Sequence, residues 1–461
     1  MTRADLEERL HRATGALAGL AGPGDRLATC QPNDVQSFAT SWAMMLAGVV
    51  EVPVPAGASR DEARQLLRDA EPSHLVLTTD AAPVRAAADS LGIAVVQDAA
   101  GTPTAPGADH PRTRPMSYTS GTTGRRKGVE VGVHDAAWGR SWLEDERSAF
   151  ADRHGDRHLV VSPLYHSGPL RHALAVADAG GTVEVLPHFD VDLWLATLRR
   201  FRPTSMFCVP THLHRLVHHP DLTPGDLGSL QLLLHAGAPC PTELKRRLHG
   251  LAPDGAVWEF YGSTEGQFTV CPPDTWADAP GTVGRSRPDR EVQVRDHEGA
   301  PVPVGTRGTV WATAPDHARW HYLGRPEATA EAWDGDTFTV GDIGHLDAEG
   351  RLFLHGREGD LVISGGVNVY PAEVEAILRE LDGVGEVAVF GVPDDEWGER
   401  VAAAVVAAPG TLPRPDALIA AARERLSPAR VPRRVVVVDD LPRTPTGKVR
   451  RADLPTLLEH E

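Results

Sequence analysis

The stretch Tyr118-Thr-Ser-Gly-Thr-Thr-Gly-Arg-Arg-Lys-Gly128 is the segment around which this chain is organised. Its glycines let the backbone turn tightly, so that successive N–H groups converge on an anion. The hydroxyl groups add further donors, and Lys127 adds a point charge suited to phosphate. The pattern predicts a loop that holds a polyphosphate through Thr119, Ser120, Gly121, Thr122, Thr123, Gly124 and Lys127.

This loop differs from the common P-loop, in which a glycine and four further residues precede Gly-Lys-Ser/Thr. Counted from Gly121, the second glycine is replaced by Arg126, and Lys127 is followed by Gly128. A flexible Ser/Thr/Gly linker is the alternative interpretation. The flanks favour the phosphate loop, because residues 115–119 before it and three alternating valines after it are typical of strands.

Composition indicates a soluble globular protein with more than one domain. The chain has 461 residues, of which 41% are hydrophobic and 24% charged, and both fractions are ordinary for such proteins. The formal net charge of -17 disfavours a nucleic-acid surface, which needs a basic stripe. We therefore expect no nucleic-acid partner.

Cysteine usage and hydropathy indicate the compartment. Four widely separated cysteines, with no Cys-x-x-Cys pair, predict neither a disulfide framework nor a zinc site and favour a reducing environment. The chain starts with an acidic, helix-like segment rather than with the pattern of a signal peptide. Its most apolar run, residues 38–50, is too short to cross a bilayer. The sequence predicts a cytoplasmic protein without a membrane partner and leaves the oligomeric state open.

Helical and strand patterns alternate along the first part of the chain. Residues 35–47 and 61–70 have helical character, and short apolar strands lie between and beyond them. This alternation predicts an α/β fold with a large N-terminal domain of layered, mainly parallel sheets covered by helices. Ligands in open α/β sheets bind beyond the carboxyl ends of strands. Polar or small residues follow three of the strands, and these candidate pocket walls are residues 166–168, 210–212 and 235–239.

The later part of the chain has a different texture. Residues 281–354 combine short strands with Gly, Pro and Asp turns, which predicts a small β-rich subdomain. Beyond them, Pro371 stands where a helix would begin, and further strands and a helix complete a small α+β domain. We expect an N-terminal domain of residues 1–356 and a C-terminal domain of residues 357–461, joined by a hinge.

Five motifs occur in a fixed order along the chain. They are Thr119–Lys127, Tyr261-Gly-Ser-Thr-Glu-Gly266, Val340-Gly-Asp-Ile-Gly344, Gly356-Arg357 with Ser364-Gly-Gly-Val-Asn-Val-Tyr-Pro371, and Pro445-Thr-Gly-Lys448. Together they resemble the adenylate-forming superfamily of acyl- and aryl-CoA synthetases, adenylation domains and luciferases. Any one motif alone would be a weak signal, whereas five in order are specific. The chain departs from the family pattern at Arg126, where a small, aliphatic or proline residue is usual.

The resemblance implies roles in nucleotide binding. The phosphate loop would shield the β- and γ-phosphates of ATP, Thr264 would contact the α-phosphate, and Glu265 would help to hold Mg²⁺. One carboxylate suits a hard cation that bridges phosphates. Asp342 and Arg357 would bind the ribose hydroxyls. The other candidates resemble an adenine-binding wall: Gly237, Ala238, Pro239, Tyr261 and Gly262. The ring of Tyr261 would stack on the adenine base. Taken alone, a tyrosine at this position would more often belong to a core.

The resemblance also implies where the chemistry and the motion occur. Lys448 would touch the substrate carboxylate and the α-phosphate and offset the charge that develops as pyrophosphate leaves; out of context it would be an exposed tail lysine. Residues 356–360 resemble the hinge about which the small domain rotates after adenylation, with Gly359 at the swivel position. Residues 365–366 would line the route of the pantetheine arm. His166 resembles the gate beside the acid pocket, and a structural histidine is the alternative.

These assignments predict an ATP-dependent acid–thiol ligase with Lys448, His166 and Glu265 as candidate catalytic residues. A carboxylate would attack the α-phosphate of Mg·ATP to give an acyl-adenylate and pyrophosphate, and a thiol would then take the acyl group. Coenzyme A is the expected acceptor, because residues 235–239 and 364–371 look more like acyl-CoA synthetases than like peptide-synthetase domains.

Three alternatives stay open at this point. The thiol could belong to a carrier protein, or the acid could be nitrite, which some relatives pass to an aryl amine as ATP-dependent diazotases. From a different class, the chain could be a luciferase-like oxidoreductase or a non-catalytic nucleotide-binding protein. The presence of Lys127, Glu265, Asp342 and Lys448 favours catalysis. The sequence does not identify the acid.

Overall fold

The structure, a computed structural model, describes residues 3–97, 102–119, 126–150, 155–288, 290–364, 367–394, 397–443 and 449–458. The chain folds into two compact units. The larger unit is built from residues up to 119, 126–292 and 312–338, and the smaller unit from residues 293–311 and from 339 onward.

Helices of the described residues are numbered in chain order. They are α1 (Arg3–Leu17), α2 (Val35–Ala47), α3 (Arg60–Ala70), α4 (Ala82–Leu91), α5 (Ala136–Ser148), α6 (Ser167–Asp178), α7 (Val191–Phe201), α8 (Pro210–Val217), α9 (Pro224–Leu227), α10 (Thr242–Leu251), α11 (Pro273–Asp278), α12 (Pro326–Ala332), α13 (Pro371–Arg379) and α14 (Pro415–Arg425). None of these helices combines the length and the apolar character needed to cross a membrane.

The strands are numbered in the same way. Those up to residue 262 are β1 (Arg26–Cys30), β2 (Val50–Pro53), β3 (His74–Leu77), β4 (Ala94–Val96), β5 (Ser117–Tyr118), β6 (Gly128–Glu130), β7 (Arg157–Val160), β8 (Thr182–Val185), β9 (Ser205–Cys208), β10 (Leu232–His235) and β11 (Val257–Gly262). The later ones are β12 (Gln267–Cys271), β13 (Arg285–Ser286), β14 (Val292–Arg295), β15 (Gly308–Thr313), β16 (His321–Tyr322), β17 (Trp333–Asp334), β18 (Thr337–Leu346), β19 (Leu352–Arg357), β20 (Val362–Ser364), β21 (Val367–Val369), β22 (Val384–Asp394), β23 (Gly398–Ala407) and β24 (Arg434–Val438).

The first sheet of the larger unit consists of parallel strands in the order β2-β1-β3-β4. Helices α2 and α3 begin where side chains satisfy the N–H groups that a helix start leaves without partners. The Asp34 carboxylate accepts a hydrogen bond from the N–H of Ser37 (2.8 Å), and Ser59 with Glu62 forms a capping box at the start of α3. The helix predicted over residues 35–47 is confirmed at both ends.

The second sheet has the order β13-β12-β11-β10-β9-β7-β8. Strands β8, β7, β9, β10 and β11 are parallel, and β12 and β13 add an antiparallel edge. Every residue of β9 and β10 is buried, as expected for a sheet with both faces covered. The register pairs Val160 with Phe207, Cys208 with His235, and His235 with Glu259, so the carboxyl ends of these strands lie along one edge. The predicted mainly parallel α/β fold is confirmed.

A small third sheet, in the order β16-β6-β5, holds the segment around the phosphate loop. Strands β5 and β6 are antiparallel neighbours, with Ser117 opposite Val129. Strand β16 pairs with the other side of β6 and places Tyr322 opposite Val129. The strands predicted on both sides of the loop are therefore present, and they form a hairpin.

The smaller unit contains a mixed sheet in the order β21-β20-β23-β22, with β24 parallel to β23. Helix α13 begins at Pro371 as predicted, a position where proline loses nothing because the first N–H groups of a helix have no partner within it. Val374 and Leu378 lie four residues apart on α13 and are buried in one core with Leu418 of α14. This arrangement is the predicted α+β domain.

The two units divide after Phe338, inside strand β18. The strands predicted over residues 281–354 are present and are shared between the units, since β16 joins the third sheet whereas β19 pairs with the later part of β18. The boundary expected between residues 356 and 357 falls inside the smaller unit, where the 3₁₀ turn Glu358–Asp360 follows β19. A functional division at that point stays a prediction.

Candidate active site

The base of the predicted phosphate loop is closed by a backbone hydrogen bond. The N–H of Thr119 donates to the carbonyl oxygen of Lys127 across 2.9 Å, directly beyond the pairing of Tyr118 with Gly128. The two ends of the glycine-rich segment are thus held side by side. The candidates Ser120, Gly121, Thr122, Thr123 and Gly124 lie outside the described residues, and their contacts stay predictions.

Arg126, the departure from the family pattern, has partners on the protein itself. Its Nη2 atom lies 2.9 Å from Oε1 of Glu62, and its carbonyl oxygen accepts a hydrogen bond from Nη2 of Arg325 at 3.4 Å. Glu62 also completes the capping box at the start of α3. Arg126 therefore anchors this end of the loop to helix α3.

Lys127 and Glu265, which belong to different motifs, meet through Tyr322. The Nζ atom of Lys127 lies 4.5 Å from the centroid of the Tyr322 ring, and the Tyr322 hydroxyl donates a hydrogen bond to Oε1 of Glu265 at 2.8 Å. Both Tyr322 and Glu265 are 5% exposed. Sequence reasoning missed Tyr322, because its only signal is its place on β16, whose pairing with β6 is a tertiary fact.

The glycines of the second motif are required by close backbone approaches. A Cβ atom at Gly262 would stand 2.9 Å from the carbonyl oxygen of Gly266, and one at Gly266 would stand 2.6 Å from the Phe338 ring. The N–H of Ser263 donates to the carbonyl oxygen of Gly266 at 2.8 Å and closes the turn. This tight turn presents Thr264 and Glu265 between β11 and β12, which explains why small residues surround them.

The candidates for the adenine wall stand at neighbouring strand ends. Because His235 pairs with Glu259, Gly237 and Tyr261 each follow that pair by two residues at the same edge of the second sheet. Gly237 has a φ of 89°, in the left-handed region that favours glycine. The Tyr261 ring is buried and stacks on Phe268 with centroids 4.7 Å apart. The adenine contacts of Gly237, Ala238, Pro239, Tyr261 and Gly262 stay predictions.

The histidines near these strand ends divide into two groups. His235 is fully buried, and burial followed by the nearby charge of Lys245 lowers its pKa well below the usual range. His212 stacks on Phe189 with centroids 3.9 Å apart, and burial lowers its pKa to about 4. Both are neutral core residues. His166, in contrast, stands at the start of α6 and lines a cavity.

This cavity brings His166 and Thr264 together. Its wall is formed by the segment between β7 and α6, helices α5 and α6, the residues before and in β5, strand β6 and the turn after β11. The polar and aromatic side chains of that wall are Arg114, Ser117, Trp142, Tyr165, His166, Ser167, Arg171 and Thr264. The expected gate and the expected α-phosphate contact therefore line one cavity. The role of His166 as a gate stays a prediction.

A buried charged network lies behind the cavity. Arg171 donates to the Glu146 carboxylate, which also accepts a hydrogen bond from Nε2 of Gln267 at 3.2 Å. Nη2 of Arg287 donates a hydrogen bond to Oδ1 of the neighbouring Asp145 at 2.9 Å, and Arg290 donates to Oδ2 of the same carboxylate. Sequence reasoning missed this network because its members belong to no motif and are scattered from residue 145 to residue 290.

The network changes the acidity of its members. Burial acts to raise the pKa of Asp145, but a hydrogen bond from His317 and the charges of Arg287 and Arg290 lower it to about 2. The pKa of the Arg114 guanidinium is lowered to about 9, first by burial and then by the charge of Arg171. The carboxylates of this region are thus ionised at neutral pH, and positive charge is concentrated beside the cavity.

Two predicted ribose contacts meet in the smaller unit. Asp342 and Arg357 are register partners on β18 and β19, and Nε of Arg357 donates to Oδ1 of Asp342 at 2.8 Å. Asp342 is 6% exposed. Their contact with ribose stays a prediction. Lys448 and residues 365–366 lie outside the described residues.

The predicted magnesium contact fits an ion that is shared between the protein and phosphate groups. Among the residues that the structure describes, no group of three or more His, Cys, Asp or Glu side chains could hold a metal. Glu265 offers a single buried carboxylate oriented by Tyr322. Mg²⁺ that bridges phosphates takes one or two protein carboxylates and completes its shell with phosphate and water oxygens. The donor set suits such an ion.

Comparison with known proteins defines the class of this protein. Residues 1–322 match the family described as AMP-binding enzyme, and residues 373–448 match the AMP-binding enzyme C-terminal domain. The chain therefore belongs to the AMP-binding, adenylate-forming enzymes. It is a ligase of the acid–thiol type that activates an acid with ATP.

Among its relatives is the feruloyl-CoA synthase of an Amycolatopsis species, 35% identical over 472 residues that cover 98% of this chain and 93% of that protein. The fatty acid–[acyl-carrier-protein] ligase ScoC of Streptomyces coeruleorubidus is 32% identical over 473 residues, covering 97% and 90%. The ATP-bound structure of MatB from Rhodopseudomonas palustris has a TM-score of 0.87 at 30% identity, covering 98% and 92%. The amide bond synthetase McbA from Marinactinospora thermotolerans has a TM-score of 0.86 at 29% identity, covering 98% and 94%.

Proposed function

We propose that this enzyme converts a carboxylic acid into its acyl-adenylate and then transfers the acyl group to coenzyme A. The observation that carries the proposal is the group formed by Lys127, Tyr322 and Glu265 at the base of the phosphate loop. The buried carboxylate of Glu265, oriented by Tyr322, is suited to the metal ion of a metal-bound nucleotide. The ammonium group of Lys127 is suited to its phosphates.

In the first step a carboxylate oxygen of the acid attacks the α-phosphorus of ATP. The bond from that phosphorus to the bridging oxygen breaks, and pyrophosphate leaves with the bonding electrons. Thr264 contacts the α-phosphate, the loop and Lys127 hold the β- and γ-phosphates, and Lys448 offsets the developing negative charge. Glu265 would help to hold Mg²⁺, which would supply further positive charge to the phosphates.

In the second step the thiol sulfur attacks the acyl carbon, the thiol loses its proton, and AMP leaves. Coenzyme A as acceptor is supported by the names of relatives such as feruloyl-CoA synthase. A carrier protein is the second candidate acceptor, supported by the similarity to ScoC. We also propose that residues 356–360 form a hinge about which the C-terminal domain rotates between the two steps.

We further propose that the enzyme works in the cytoplasm, where its four unpaired cysteines would stay reduced.

ATP–pyrophosphate exchange tests the first step without an acceptor. The panel contains fatty acids, aryl acids, amino acids and nitrite, and we expect exchange with at least one carboxylic acid. With that acid, coenzyme A should then give a thioester faster than a phosphopantetheinyl carrier protein does. Exchange with nitrite alone would replace the proposal by an ATP-dependent diazotase, and exchange with no acid would refute it.

A further inference from the structure

Lysine is rare in this chain, and one lysine is buried. Of the 46 lysine and arginine residues, three are lysines, namely Lys127, Lys245 and Lys448. Lys127 and Lys448 belong to the nucleotide motifs, whereas Lys245 belongs to no motif and lies on α10 with 1% of its surface exposed. Its ammonium nitrogen lies 2.6 Å from Oε2 of Glu259 on β11, a residue that is 6% exposed. Because a charge away from water needs a close partner, this ion pair ties α10 to β11.

The other contacts of Lys245 also hold α10 in place. Lys245 and His249 lie four residues apart on one face of α10, and both contact Trp276 of α11. The Nζ atom of Lys245 lies 5.0 Å from the centroid of the Trp276 ring, and the His249 ring stacks on it with centroids 5.2 Å apart. A guanidinium would bring five N–H donors into this space, whereas an ammonium group directs three donors from one atom. Since arginine supplies nearly all other cations of the chain, the lysine indicates a position that requires a compact cation.

The ion pair closes the loop that carries the predicted adenine wall. Residues 236–241 connect His235, the last residue of β10, to α10, which begins at Thr242. Strands β10 and β11 are parallel neighbours, with His235 opposite Glu259. The loop thus leaves the sheet beside Glu259, and the helix that follows the loop returns to Glu259 through Lys245. Both ends of the loop are therefore fixed to the same residue of β11.

Stability alone does not explain the pair. Apolar side chains of similar volume commonly stabilise a core as well as a buried ion pair does. An ion pair differs from them because it fixes one distance and one direction between the two elements that it joins. Glu259 is well placed for such a role, since Tyr261, the predicted stacking ring, follows it by two residues on β11.

We propose that Lys245 is a positioning residue for recognition of the adenine base. Its ion pair with Glu259 sets the separation between residues 236–241 and Tyr261, the two parts of the predicted adenine wall. Lys245 acts through these residues and does not touch the nucleotide. This inference rests on the proposed function and assigns to the buried pair the choice of adenine over other purine bases.

Pyrophosphate exchange with ATP and with GTP, using an acid that the parent accepts, measures base recognition. We expect the parent to prefer ATP. Lys245→Met keeps much of the side-chain volume and removes the cation, so kcat/KM for ATP should fall by about tenfold to 10²-fold, the loss typical of a misplaced binding group. The loss should lie in KM for ATP, with kcat and KM for the acid close to the parent values. The rate with GTP should fall less, so the preference for ATP shrinks.

Asp226→Asn is the matched control. It breaks another ion pair with a buried carboxylate, in which Nε of Arg199 lies 2.7 Å from Oδ1 of Asp226, and this pair joins α7 to α9. The control should lower stability toward urea and leave the ratio of kcat/KM for ATP and GTP at the parent value. A lower fraction of folded enzyme reduces turnover with both nucleotides equally, so this ratio separates positioning from a purely structural role.

The outcomes also separate this inference from the proposed function. A parent that uses ATP and GTP equally, or a parent-like ratio in Lys245→Met, overturns the inference and leaves the ligase standing. A parent that exchanges with no acid refutes the proposed function itself. If Lys245→Met does not fold, Lys245→Arg keeps the charge but not the compact group, and its preference for AMP over GMP in calorimetric titration should still be reduced. A preference equal to that of the parent would overturn the inference there as well.

Discussion

The Tyr322 hydroxyl donates a 2.8 Å hydrogen bond to the Glu265 carboxylate, while Lys127 lies over the face of the same ring. One side chain thus joins the end of the phosphate loop to the expected magnesium contact. Tyrosine suits this position, because its ring attracts a cation and its hydroxyl donates to an anion. The positions of Lys127 and Glu265 therefore depend on each other through Tyr322.

Removal of the Tyr322 hydroxyl should weaken use of Mg·ATP. Tyr322→Phe keeps the ring beside Lys127 and leaves Glu265 without this donor, so we expect kcat/KM for ATP in pyrophosphate exchange to fall by about fivefold, which corresponds to about 1 kcal/mol. Tyr322→Leu also removes the cation–π contact and should lose more. Unchanged ATP kinetics in Tyr322→Phe would show that the hydrogen bond has no part in nucleotide binding.

Lys448 should matter for adenylation and not for thiol transfer. We expect Lys448→Ala to slow pyrophosphate exchange by about 10²–10³-fold, the loss typical of removing a preorganised electrostatic contact at a reacting group. Transfer from a synthetic acyl-adenylate to coenzyme A should stay close to the parent rate. Arg450→Ala is the control for a lost tail cation, and exchange at the parent rate in Lys448→Ala would reject the assigned role.

The ion pair between Arg126 and Glu62 should contribute little to stability. The two side chains are 35% and 31% exposed, and such pairs typically contribute about 0–1 kcal/mol. A double-mutant cycle with Arg126→Met and Glu62→Gln, read from urea unfolding, should give a coupling in that range that shrinks with added salt. If the pair between Arg126 and Glu62 positions the phosphate loop, both single variants should show a raised KM for ATP. A coupling free energy of several kcal/mol would contradict this account.

Asp145 should make stability depend on acid pH. The pKa of Asp145 in the folded protein is lowered to about 2, whereas an unfolded aspartate has a pKa of about 4. The ionised carboxylate therefore stabilises the fold above the unfolded pKa, and this stability is lost as the pH falls through the folded pKa. The difference in unfolding free energy between the parent and Asp145→Asn should include about 2 kcal/mol that disappears over this range. Urea unfolding from pH 7 downward measures it, and a pH-independent difference would refute the assignment.

Local patterns predicted much of this protein from sequence. The helix predicted over residues 35–47 is α2, and it begins after Asp34 because a cap needs only a side-chain oxygen and an N–H group three residues on. The alternation of helices and strands predicted the parallel sheets, and the ordered motifs predicted the family. Each of these features is set by neighbours along the chain or by a motif that is specific in itself.

Tertiary structure alone decided which distant side chains meet. Tyr322 reaches Glu265 because β16 pairs with β6, and Arg171 reaches Glu146 because α6 lies against α5. Arg114 belongs to no motif, and its place in the cavity wall follows from where β5 stands. The sequence determined the fold, the family and the nucleotide motifs, because short-range hydrogen bonds and residue periodicity encode them. The pairing of buried charges and the shape of the cavity beside His166 depend on strand register and packing, which distant parts of the chain set jointly.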